Sequence, residues 1–494
     1  MKRILESLII CCICFQYSYA QDFGSLPKIK KEKLLNDLEI LYQGLDKFHS
    51  GMYWYTPKDS VEMAFQKVRM EITRDLNVLE FHKLIAPLVA LSREDHTNIY
   101  LPESIKDKMN SETKFIPLTM VFLGHKLYCV KNGSDFQDFA LEGKQIESIN
   151  GEIPTSIVGK IGNLFASDGF IKTVKYSDLE GFNFSRYYFY NYGQIDQFEV
   201  KLKGMEEPVI IKSLKIKAIR QNLNSRYKAS DKNDIKDVLE YKILNDSLAY
   251  LGIHTFDNDD IRKYSEEKKL SVFLKNSFES IKENNIQTLV VDVRKNSGGS
   301  EGNEGLLYSY FGENFQKYQK VRAKTQKAVL DNGTDEPITL KAFGLFERLF
   351  INKKMKDGSL ERRESIGKGL MAYKKEPDFK FHGKTYVLIS PVTYSGGSEF
   401  SNMMYSQDLA TFVGQETGGG YLGNTSGYSK ELVLPNSKIK VHIPALQFVM
   451  NVEPTLPFGR GVIPHYEVIP TFEEYINREN APLKYVLKQL ENDK

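Results

Sequence analysis

Cysteine is nearly absent from this chain. There are four in 494 residues, and Cys11, Cys12 and Cys14 all fall within the first fourteen. Only Cys129 lies beyond them, so an exported form cut after Ala20 would hold no internal disulfide, and a thiolate zinc site is excluded. The eight histidines include no His-x-x-x-His or His-x-His pair, which leaves a metal hydrolase without its ligand spacing. No metal or other cofactor is expected. An excess of one charge is missing too: the formal net charge is +3, with acidic and basic residues interleaved and no basic stripe. Nucleic acid is therefore not an expected partner. The apolar stretch from Leu8 to Phe15 is too short to span a bilayer.

What is present describes an ordinary folded protein. Hydrophobic residues make up 41% and charged residues 27%, in a chain long enough for two or three cores. Lys2 and Arg3, the apolar stretch, and the small-residue end Ser18-Tyr19-Ala20 form a signal-peptide pattern over 1–20. Export to a bacterial periplasm or the medium is expected, with no stable membrane insertion after cleavage. Helical spacing follows, through Leu34, Leu38, Leu41, Leu45, Val61, Ile72 and Leu79, and stops at Glu94-Asp95-His96-Thr97. Short strands and turn signals then take over, including a strand into Asn150-Gly151 and a helix from Pro154.

Beyond about 221 strands alternate with helices, and a right-handed crossover makes the strands at 249–253 and 288–293 parallel. Further strands are expected at 385–390, 411–414 and 439–443, the last closing the same sheet. A polar, aromatic interval at 315–380 interrupts the rhythm and reads as an inserted lid. The expected organisation is a multi-domain α/β protein: signal 1–20, helical region 21–105, β-rich domain 106–220, and α/β core 221–494.

Two glycine turns carry the chemistry. After the strand at 385–390 comes Thr393-Tyr394-Ser395-Gly396-Gly397-Ser398-Glu399-Phe400. A buried strand ending in a serine, two glycines and a helix start lifts a hydroxyl out of the sheet and leaves N–H groups free beside it. That suits a nucleophile next to an oxyanion site. A second strand, 289–293, ends in Arg294-Lys295-Asn296-Ser297-Gly298-Gly299. In one sheet the two turns would face each other across a single site. Either turn alone also serves as a plain connection, since glycine turns are common.

In order and wording these segments resemble the C-terminal-processing, or tail-specific, serine peptidases, including tricorn protease. The resemblance rests on Arg-x-Asn-x-Gly-Gly at 294–299, the 393–400 turn, Val413-Gly414-Gln415-Glu416-Thr417-Gly418-Gly419 and Gly459-Arg460-Gly461-Val462-Ile463-Pro464. It covers nearly the whole chain after the signal segment. It implies a crotonase- or Clp-like α/β catalytic core, preceded by the helical region and a small PDZ-like module. It also implies Ser395 as the acyl-forming nucleophile, with Ser398 as a rival hydroxyl that supports the turn. The N–H groups of Gly396 and of Gly298 or Gly299 would form the oxyanion hole, with Arg294 and Asn296 bracing the loop.

One branch of that family takes a lysine base from the place of Gly420, so this chain lacks it. The tricorn-like branch uses a histidine, and Glu94-Asp95-His96-Thr97 resembles its Asp-Gly-His-Thr motif, with Asp95 in place of glycine. His96 is thus the implied general base, its ordinary pKa of about 6.5 suited to taking and returning a proton. Glu453 holds the place of the acid that orients it, with Asp95 and Glu416 as competitors. The implied substrate is a peptide or protein, docked in part by strand addition to the PDZ-like module. Phe122-Leu123-Gly124-His125 matches that module's carboxylate loop only loosely. A non-catalytic peptide- or ligand-binding protein on the same fold is the alternative, favoured by the missing lysine and the altered histidine motif.

Overall fold

The computed structural model describes residues 26–227, 237–313, 315–324, 350–363 and 377–492. The signal segment lies outside the described residues, as does much of the 315–380 interval.

Helices Lys31–Phe48, Lys58–Glu71 and Val78–Ala90 follow the spacing of their leucines. The third opens on a capping box: Asn77 accepts the Leu79 and Glu80 N–H groups while Glu80 reaches back to the Asn77 N–H. Such a cap is worth about 1 kcal/mol. The buried faces of these helices share one core with Val441 and Ile443 of a long strand from the far end of the chain.

A five-stranded antiparallel meander follows: Leu118–Leu123, Lys126–Asn132, Gln145–Ile149, Gln197–Leu202 and Val209–Lys212. Asn150 and Gly151 both have positive φ at the turn after the third strand, and the next helix is Pro154–Ile161. The loose match at Phe122-Leu123-Gly124-His125 is corrected. Leu123 pairs with Lys126, so Gly124-His125 is a two-residue hairpin turn and not a carboxylate loop.

The central sheet runs Tyr466–Glu467, Thr411–Gly414, Lys384–Ile389, Thr288–Asp292, Leu248–Ile253 and Leu239–Asn245. All neighbours are parallel except the last pair. Val291, Val387, Ile389, Phe400 and Phe412 form its core with helix Leu270–Glu283. Burying each such side chain contributes about 1.5–3 kcal/mol.

The expected closing strand at 439–443 does not join this sheet. Lys440–Met450 instead pairs antiparallel with Gly423–Val433 and, along its other edge, with Asn98–Tyr100 and Tyr318–Ala323. A short turn between two eleven-residue strands favours a hairpin, whereas a parallel partner needs a long crossover. Three stretches of the 315–380 interval are also sheet: Tyr318–Ala323, Asn352–Lys354 and Leu360–Arg362 extend this second layer.

Candidate active site

Both glycine turns leave the central sheet at the same edge. Thr288–Asp292 and Lys384–Ile389 are parallel neighbours with Asp292 opposite Leu388, so the turns that follow them emerge side by side. Asn296 ties them together. Its carbonyl accepts the Tyr394 N–H at 3.0 Å, and its Nδ2 donates to the Ile253 carbonyl at 3.1 Å. Arg294 folds back onto Asp292 with Nε–Oδ1 at 2.9 Å and Nη2–Oδ2 at 2.7 Å. Burial pushes the Asp292 carboxyl up, but the guanidinium and its hydrogen bonds outweigh this and hold it below the usual range. Arg294 and Asn296 are braces.

Ser395 precedes helix Gly396–Ser406 with φ +47° and ψ −122°. Non-glycine residues rarely occupy this region, and holding one there costs on the order of 1–3 kcal/mol. The serine is only partly buried, and among the described residues its Oγ makes no hydrogen bond. The rival Ser398 is buried, and its Oγ donates to the Thr393 carbonyl at 2.8 Å. Its hydroxyl holds the turn.

The two turns approach so closely that glycine is required. A Cβ on Gly298, whose φ is +101°, would stand 2.6 Å from Ser395 Cβ and 2.9 Å from Gly396 N. Gly298→Ala is therefore expected to lower the melting temperature and cut turnover about 100-fold, because the serine must be displaced. Steady-state kinetics beside a thermal melt checks this; wild-type kcat in the variant would contradict the close approach.

Gly396 N–H has no acceptor among the described residues. The two glycines of the other turn differ. Gly298 N–H donates to Asn296 Oδ1 at 2.9 Å, whereas Gly299 N–H has no acceptor among the described residues. Of the alternatives left open by the sequence, only Gly299 keeps a free donor.

His96 lies on a loop held from several sides. Glu94 Oε2 accepts the Thr425 N–H at 2.8 Å, and the Glu94 carbonyl accepts the Thr97 N–H at 2.9 Å. Asn98 Nδ2 donates to the Asp95 carbonyl at 3.0 Å. His49 Nε2, fully buried, sits 2.7 Å from Thr97 Oγ1. The His96 ring centroid is 6.3 Å from that of Tyr394, the residue before the serine. The structure thus brings His96 to the Ser395 turn without forming an imidazole–Ser395 hydrogen bond among the described residues. Burial lowers the His96 pKa below its ordinary value, nearby His442 adds to this, and Glu399 opposes it.

Residues 247–468 match the family described as peptidase family S41. By this match the chain carries a peptidase family S41 segment. It is a serine peptidase. In fold it is similar to mature CPAF complexed with lactacystin, with a TM-score of 0.61 and 14% identity over 94% of this chain and 99% of that one. Mature CPAF gives a TM-score of 0.58 and 14% identity over 90% and 94%. No curated protein matches the chain by sequence.

The structure does not bring Glu453 to the imidazole. Glu453 is exposed, and its N–H bonds Ser406 Oγ at 3.2 Å. Ser406 ends the eleven-residue helix that starts beside Ser395, so at about 1.5 Å per residue some 16 Å of helix separate them. Of the competitors, Glu416 is engaged by Arg460 at 2.7 Å through both oxygens. Asp95 stays beside the site, its carboxyl pushed up to about 7 by burial and by neighbouring Asp168.

The carboxylate whose field reaches the imidazole is Glu399. It belongs to a buried cluster that pattern reading missed. Lys317 Nζ lies 2.5 Å from Glu304 Oε1 and 3.0 Å from Glu399 Oε2, and Tyr318 OH donates to Glu399 Oε1 at 2.7 Å. Burial alone would lower the Lys317 pKa, but the two carboxylates and Tyr318 raise it well above the ordinary value. This lysine is held protonated and is no substitute for the missing base. His49 and Asp168 were missed as well. Asp168-Gly169 reads only as a turn, and nothing local says what it turns towards.

Proposed function

We propose that this peptidase is an exported endopeptidase that cleaves through an acyl-enzyme on Ser395, with His96 as general base. The observation that carries the reading is the Ser395 turn, a strained serine followed by the unbonded Gly396 N–H and packed against the Gly298-Gly299 turn. The imidazole, neutral at physiological pH because burial depresses its pKa, takes the Ser395 proton as Oγ attacks the scissile carbonyl. The Gly396 and Gly299 N–H groups hold the developing oxyanion, each such donor being worth about 3 kcal/mol. His96 then gives the proton to the leaving amine, and a water repeats the sequence to release the acid. Free enzymes often hold nucleophile and base apart until substrate closes the site. That is consistent with the absent Ser395–His96 hydrogen bond.

A cavity of 860 Å³ adjoins the His96 loop. Asp95, Thr97 and Tyr100 line one side, and Asp178, Tyr187 and Tyr190 of the β-rich region line the other. It is the space proposed for the peptide. The aromatic helix Asn183–Tyr192 contributes to both core and cavity, since Phe184, Tyr188 and Phe189 are buried within it.

The test is covalent. Full-length protein from an exporting bacterial host is treated with a fluorophosphonate serine probe and mapped by peptide mass spectrometry. Label on Ser395 and an N-terminus at Gln21 are expected. An unlabelled Ser395 with retained peptide binding would favour the non-catalytic alternative, and an intact Met1 terminus would overturn export.

A further inference from the structure

The Asp168 carboxylate joins three distant pieces of chain. It is almost fully buried. Oδ1 accepts the Asp95 N–H at 2.9 Å, and Oδ2 accepts the Gly420 N–H at 3.1 Å. Asp95 immediately precedes His96. Gly420 ends a turn in which the Gly418 and Gly419 N–H groups donate to the Thr393 carbonyl at 3.0 and 3.3 Å. That turn packs against the nucleophile: a Cβ on Gly419 would lie 3.3 Å from Ser395 N and 2.4 Å from Ser398 Oγ. One side chain therefore bonds both the loop bearing the imidazole and the turn beneath the serine.

The segment carrying it is itself tightly placed. Gly169 N–H donates to the Arg93 carbonyl at 2.8 Å, and Phe170 N–H donates to the Gly459 carbonyl at 2.6 Å. At Gly169, with φ +53°, a Cβ would meet the Gly459 oxygen at 2.3 Å. The Arg93 guanidinium stacks 4.6 Å over the Phe170 ring. A carboxylate suits the place because two N–H donors converge on it and only an acceptor-only group satisfies both. Burial in turn pushes its carboxyl up to about 6, while the two backbone bonds oppose this.

We propose that Asp168 is a positioning residue: it holds the His96 loop at the distance from the Ser395 turn that proton transfer needs. The proposal rests on His96 being the base. It acts through geometry and makes no contact with substrate. Asp168→Asn keeps the shape but turns an NH₂ group towards one of the two donors. The same full-length protein, assayed on a peptide substrate, is expected to lose about 10-fold or more in kcat with KM nearly unchanged.

A double-mutant cycle separates positioning from plain support. In a His96→Ala background, where no imidazole remains to be held, Asp168→Asn is expected to have no further effect on residual turnover. Equal loss in both backgrounds, an effect on KM alone, or unchanged kcat would each overturn the proposal. Should Asp168→Asn fail to fold, Asp168→Ser leaves room for water to satisfy both donors, and the same loss in kcat is expected. If His96→Ala itself retains full turnover, the base assignment fails and this proposal fails with it. Retained turnover in Asp168→Asn beside an inactive His96→Ala would overturn only the positioning role.

Discussion

Ser395→Ala is expected to lower kcat by about 10⁴- to 10⁶-fold, the range found when a nucleophile that works with a base is removed. KM should move little, because the hydroxyl makes no hydrogen bond among the described residues and its loss leaves no partner behind. The fold should tolerate the change. Alanine removes one atom from a partly exposed position and keeps the Cβ that Gly298 is shaped around. Ser398→Ala is the informative control. Its Oγ bonds the Thr393 carbonyl, so it should cost stability through a loosened turn while keeping most of the chemistry. If Ser398→Ala is inert and Ser395→Ala active, the nucleophile has been misassigned. The measurement is initial-rate kinetics on a peptide library with a melting curve for each variant.

His96→Ala is expected to reduce kcat/KM about 10³- to 10⁴-fold, since backbone donors and substrate binding still favour the transition state when the base is gone. The pH profile carries the sharper statement. In the wild-type enzyme kcat/KM should be flat near neutrality and fall with unit slope as pH drops through a pKa below the ordinary 6.5. The direction follows from burial disfavouring the imidazolium, which cannot accept the serine proton.

Stability should drift the same way for a related reason. His49 and His82 are buried and pushed down to about 3 and about 4. The unfolded chain therefore binds more protons than the folded one below about 6.5, and acid erodes the fold. Melting temperatures across the same pH range separate the two effects. In His96→Ala the acid limb of activity should vanish while the acid loss of stability persists. An activity limb centred above 6.5 would speak against a buried imidazole as the base.

Much of the architecture was legible because its signals are local. A leucine every three or four residues places Lys31–Phe48 on a core, an Asn-Gly pair makes the turn at Asn150-Gly151, and a serine before two glycines after a buried strand marks the strand-to-helix turn at Ser395. The errors fell where partners are remote. The strand near 440 reads as one more member of the central sheet, but a strand from the helical region and Tyr318–Ala323 take it into another layer. Glu453 stands at a plausible distance along the chain, yet the polypeptide reaches it at the wrong end of a helix. Gly298 and Gly299 are indistinguishable as letters. Asn296 Oδ1 chooses between them by occupying one N–H.

The sequence by itself determined the elements and the chemically able residues, because periodicity, capping and glycine conformations act within a few positions. Only the tertiary structure decided which of those residues meet. Asp168 bonds donors 73 and 252 residues away, Glu94 reaches a strand 331 residues on, and Lys317 finds a carboxylate 82 residues later. Hydrogen bonds and charge pairs act over a few ångströms in space whatever their separation along the chain. Buried partners of this kind therefore become visible only once the layers have packed.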